Sequence, residues 1–131
     1  MADIKKLIKE HLSKDGQILN LKARFIREVG AIELAQCEEL INVRSLNLAQ
    51  NDIGDKGVKA IAESTILANL RSLNLKSNSI GDEGARILAE STTLVNLRSI
   101  QLVVNNITDE GERVLMNSTS LVSLSSLKFQ V

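Results

Sequence analysis

The chain has 131 residues, 44% of them hydrophobic but only 2% aromatic, which suits one compact domain with a modest aliphatic core. Sixteen basic and sixteen acidic residues cancel, so no global charge draws the protein to nucleic acid or to an anionic membrane. One cysteine, Cys37, and one histidine, His11, supply neither an internal disulfide nor a metal cluster; a reducing compartment is expected, and no cofactor or metal.

The opening, MADIKKLIKE, lacks the apolar stretch of a secretion signal. No run approaches the ~18 apolar residues of a membrane span. The expectation is a soluble protein, cytoplasmic as made. Ile4, Leu7, Ile8 and Leu12 share one helical face, with Lys5, Lys6 and Lys9 elsewhere, so residues 1–15 read as an amino-terminal capping helix. A basic amphipathic helix lying on a membrane is the competing reading; the face is short and has no aromatic anchor.

From residue 16 onward the chain repeats itself. VRSLNLAQNDIGDKG, from Val43, returns as LRSLNLKSNSIGDEG from Leu70 and LRSIQLVVNNITDEG from Leu97, at intervals of 27 residues. Stepping back one interval, Leu19, Leu21, Ile26, Gly30, Leu34 and Leu40 keep the register, with Gly16 and Arg24 in place of the first aliphatic and the asparagine. Units therefore start at 16, 43, 70 and 97, and a partial one at 124. In each, LxxLxL alternates apolar and open positions as a half-buried strand does. The later half, such as DEGARILAEST, favours helix and places Ala85, Leu88 and Ala89 at helical spacing. Asp82 is expected to accept N–H bonds at the first turn of that helix. Strands that re-enter in one sense make a parallel sheet with helices along its outer side.

The pattern L-x-x-L-x-L-x-x-N-x-I-x-D-x-G resembles the ribonuclease-inhibitor-type leucine-rich repeat over residues 16–131. The resemblance implies an α/β, right-handed solenoid with a parallel sheet on the concave face and helices on the convex face. It further implies a non-enzymatic protein-binding scaffold, and a ladder in which Asn51, Asn78 and Asn105 bond backbone of adjacent turns. Similar repeats occur in GTPase-activating proteins of the Ran system, in innate immune receptors and in host-directed effectors of intracellular bacteria; the last would place the protein in a host cell. The physical reason for repetition is that six apolar columns, worth about 1.5 to 3 kcal/mol each, cannot order a whole unit against about 1 to 2 kcal/mol of backbone entropy per residue. Neighbouring copies must cover one another.

The open strand positions form the expected interaction surface. Their columns hold Ser45, Ser72, Ser99 and Ser126, then Asn47, Asn74, Gln101 and Lys128, then Ala49, Lys76, Val103 and Gln130, with Arg44, Arg71 and Arg98 alongside. Basic residues collect in these segments while acids lie in the helical halves, turns and cap. The partner-binding residues read from this are Arg44, Asn47, Arg71, Asn74, Lys76, Arg98, Gln101, Val103 and Lys128, facing a protein partner with an acidic surface. Val103, with Val104, is the one apolar departure. The plainer reading of each arginine is a stem packed over the sheet with its head paired to nearby acids or backbone.

LSSLKFQV supplies a last strand and stops before its asparagine and helix, leaving Leu124, Leu127 and Phe129 incompletely covered. A fragment of a longer repeat array, a homodimer through this edge, and a tolerated short edge are the three readings. Catalytic signals are weak: GDKGVK lacks the phosphate-loop pattern, acid-rich helix starts such as DEGER read as capping, and Cys37 has no basic partner in view. Asn106 and Asn117 open glycosylation sequons that matter only on secretion.

Overall fold

The computed structural model describes residues 1–130; Val131, where the last strand segment was expected to end, lies outside the described residues. Five strands, β1 (Ile18–Asn20), β2 (Ser45–Asn47), β3 (Ser72–Asn74), β4 (Ser99–Gln101) and β5 (Ser126–Lys128), form one parallel sheet in chain order. The register is strict: Leu19, Leu46, Leu73, Ile100 and Leu127 stand in one row. Each strand buries its central aliphatic and turns the flanking residues outward, except that β5 leaves Leu127 half-covered.

Helices α1 (Ile4–His11), α2 (Arg27–Leu34), α3 (Gly54–Ala62), α4 (Asp82–Ala89) and α5 (Asp109–Met116) accompany the strands. Parallel strands stack at about 4.8 Å, whereas helices need about 8–10 Å between axes. The stack must therefore curve, with the sheet on the inside and the helices on the outside. Between the layers runs one aliphatic core, from Ile4 and Ile8 of α1 through the leucine columns to Leu115 and Leu121.

At the amino end, Asp3 caps α1 by accepting the Lys6 N–H at 3.1 Å. Ile4 and Ile8 are buried, and Leu12 bridges antiparallel to Leu19 of β1. The helix thus covers the first aliphatic row. His11, at the end of this helix, is half-buried.

Three polar ladders tie the turns together. The Oδ1 of Asn78 accepts the N–H of Asn51 and of Ile53, and its Nδ2 donates to the Leu48 carbonyl one repeat back at 2.9 Å. Asn51 and Asn105 make the same bonds in their turns. Arg24 enters the ladder with its backbone alone, which is why the first unit tolerates the loss of an asparagine. Ser64, Ser91 and Ser118 form a second ladder on the helix side, donating to the carbonyls of Ala35, Ala62 and Ala89 at 2.6 Å. Cys37 holds that column in the first unit, where its thiol donates to the Glu33 carbonyl of its own turn at 3.4 Å and Lys5 lies nearby. Burial pushes the thiol pKa up, so it behaves as a small core residue.

The third ladder corrects an expectation. Asp82 is the first residue of α4, but its carboxylate does not cap that helix. It accepts the N–H and hydroxyl of Thr108, one repeat further on; Asp55 likewise accepts the Gly81 N–H. The carboxylates clamp repeats because the following turn brings an N–H within reach, while α4 has no side-chain cap.

Candidate protein-interaction surface

The sheet's solvent face begins with Ser45, Ser72, Ser99 and Ser126, the first residues of their strands. Next come Asn47, Asn74 and Gln101, half-buried, and the exposed Lys128. These amides are partly committed. The Oδ1 of Asn47 accepts the N–H of Ala49 and that of Asn74 the N–H of Lys76, both at 3.0 Å, and the Oε1 of Gln101 accepts the N–H of Val103 at 3.0 Å. Each closes the chain where its strand ends.

Val103 does not belong to the surface. It is only 3% exposed, whereas Val104 is 61% exposed. The strand stops at Gln101 and the chain bends through Val104, whose φ is +58°, so alternation fails and Leu102 and Val103 both turn inward. Ala49 is buried at the same place, and Lys76 is half-buried there.

Arg44, Arg71 and Arg98 each stand one residue before a strand, at the rim where the chain enters the sheet, rather than across its face. Backbone bonds hold them in step: Arg71 N–H donates to the Arg44 carbonyl at 2.7 Å, and Arg98 N–H to the Arg71 carbonyl at 2.8 Å. With Asn69, Asn96 and Ser123 they line a shallow cavity of about 160 Å3. Asn69 and Asn96 are pinned by Nδ2 bonds to the carbonyls of Ile41 and Ala68 at 2.8 and 3.0 Å.

No ion pair among the described residues involves the arginine row. The pairs found are Lys5–Glu39, Lys6–Glu10, Arg86 with Glu83 and Glu90, and Arg113–Glu110, all in the cap or the helix layer. Arg71 instead feels other cations: Arg44, then desolvation, then Arg98 hold its guanidinium below the usual arginine range. At the amino end Asp15 is close enough to Arg44 to be held slightly more acidic by it, although hydrogen bonds from Ser13 and Gln17 do most of that.

At the other end Leu124, Leu127 and Phe129 are half-buried, and a cleft of about 210 Å3 is lined by Leu124 and Leu127 together with Leu115, Met116, Leu121 and three serines. No helix among the described residues is long and apolar enough to cross a membrane.

Stacked strand–turn–helix units on aliphatic columns and an asparagine ladder define a leucine-rich-repeat solenoid. Residues 39–62, 67–89 and 93–115 match the family model described as Leucine Rich repeat, and the chain belongs to that family. No curated protein matches it. Among solved structures it is similar to "Leiomodin-1 Actin-Binding Site 2 (ABS2)", with a TM-score of 0.72 and 18% identity over 98% of this chain and 77% of that one. At that identity the likeness is one of fold.

The sequence had not singled out the strand-end amide caps, the serine ladder or the aspartate clamp as structural devices. Their signal was present as recurrence at the repeat interval, in Ser64, Ser91 and Ser118 and in Asp55 and Asp82.

Proposed function

We propose that the protein is a non-enzymatic scaffold of the ribonuclease-inhibitor type whose basic surface binds the acidic surface of a protein partner. The observation that carries this is the row of Arg44, Arg71 and Arg98, in register at one rim, without an acidic counterpart among the described ion pairs. Like charges held together cost stability, and an acidic partner removes that cost. Lys76 and Lys128 extend the basic surface, and Asn47, Asn74 and Gln101 offer N–H donors beside it. The similar leiomodin structure is named as an actin-binding site, which supports protein binding as a use of this fold; the acidic partner is read from this chain's own residues. Electrostatic binding of this kind weakens with salt. Partner retention that survives a rise from about 0.05 to 0.5 M salt counts against it.

A second reading is favoured by the half-covered aliphatic residues beside β5. There Leu124, Leu127 and Phe129 form an edge that pairs with a second copy. Sedimentation tests it: this reading expects a dimer that Phe129→Glu converts to monomer, and a wild-type monomer at high concentration rules it out.

A further inference from the structure

The spacing of the arginine row selects the shape of what binds there. Residues 44, 71 and 98 advance by one strand interval each, about 4.8 Å, so the row spans about 9.6 Å. Register pairing of Ser45, Ser72 and Ser99 fixes that geometry. Asn69 and Asn96, each pinned to the preceding turn, give the row a stationary polar flank.

We propose that this row docks an acidic α-helix of a partner protein, one whose carboxylates stand at i, i+3 or i+4, and i+7. The proposal rests on the acidic-partner reading above and adds the secondary structure of the bound segment. Seven residues of helix rise about 10.5 Å, and those positions share one face, so three carboxylates meet three guanidiniums nearly in step. An extended segment laid across the strands fits worse. Its same-side residues recur at about 6.7 Å, and three of them span about 13 Å. Laid along a strand, such a segment meets a single arginine. The influence of Arg44 and Arg98 on the guanidinium of Arg71 between them agrees with a row close enough to act on one ligand.

The test uses fluorescently labelled peptides of equal length and charge, measured by anisotropy at low ionic strength. One is an alanine-based helix with Glu at i, i+3 and i+7. A second is a helix with the same Glu residues dispersed around its circumference. A third is a proline-interrupted, extended acidic peptide, and a short RNA oligonucleotide serves as a polyanion of another class. The striped helix is expected to bind about tenfold tighter than either other peptide, the gain of a few exposed charge pairs. The Arg44→Gln, Arg71→Gln, Arg98→Gln variant is expected to abolish that preference. The single Arg71→Gln variant, which interrupts the row, gives the same readout if the triple variant fails to fold. Equal binding of all three peptides, lost in the variant, overturns the helix proposal and leaves the acidic-partner reading standing. No binding by any peptide overturns both. RNA bound more tightly than every peptide also overturns both and assigns the row to nucleic acid.

Discussion

The carboxylate of Asp82 reaches into the next repeat and accepts two hydrogen bonds from Thr108, at 2.8 Å from its backbone N–H and at 2.5 Å from its hydroxyl. Those bonds, the hydroxyl first, hold the Asp82 carboxyl below the usual aspartate range. The ionised form is therefore favoured by folding. Its contribution is complete above the unfolded-state pKa, about 3.9, and is lost as pH falls through the lower folded value. Urea unfolding of wild type and Asp82→Asn should differ most at about pH 6 and converge toward about pH 3. A gap that does not narrow on acidification contradicts the clamp.

The equivalent clamp one repeat earlier, in which Asp55 accepts the Gly81 N–H, explains a glycine. A Cβ on Gly84 would lie 2.5 Å from an Asp55 carboxylate oxygen and 2.6 Å from Ile80 Cγ2. Gly84→Ala should cost about 1 to 3 kcal/mol of stability. Adding Asp55→Ala removes one of the two obstacles, so the double variant should be less destabilised than the sum of the singles. Strict additivity would place the crowding elsewhere.

Asn78 is fully buried and serves both neighbouring turns. Asn78→Ala strands the N–H groups of Asn51 and Ile53 and leaves the Leu48 carbonyl with only the Nδ2 of Asn51, so a loss of about 2 to 4 kcal/mol is expected in urea unfolding. A loss under about 1 kcal/mol would mean that water replaces the ladder.

Val104 carries a β-branched side chain in the left-handed region, at a position where Ala23, Gln50 and Ser77 also have positive φ. The side chain is exposed, so packing does not compensate. Val104→Asn should raise stability by about 1 kcal/mol, visible as a higher thermal midpoint. An unchanged midpoint would show that the bend relaxes.

Much of this architecture could be read from the sequence. The interval of 27 residues, the leucine columns and the asparagine column place every strand in register, because those residues work only when they meet their copies. Val103 escaped, since a period-2 reading continues through Gln101 where the chain bends instead. Asp82 was visible as a column but not as a clamp: one unit's sequence shows the helix that follows, while its actual donors lie in the next unit. The arginines were visible as a row, yet their place at the rim depends on where each three-residue strand begins.

The row also makes an electrostatic prediction for the free protein. Arg44, Arg71 and Arg98 lie close enough to depress the central guanidinium, so Arg71→Gln should leave the fold intact and raise its thermal midpoint slightly at low salt, with the gain shrinking as salt is added. A lowered midpoint would instead mean that Arg71 holds the structure together.

The most direct test is affinity capture from a cytosolic extract by wild type and by the Arg44→Glu, Arg71→Glu, Arg98→Glu variant. Circular dichroism establishes that both are folded, and mass spectrometry identifies what each retains. The account predicts a partner with an acidic surface that the wild type retains at low salt and the folded variant does not. The same partner held equally by both would contradict the assignment of binding to the arginine row.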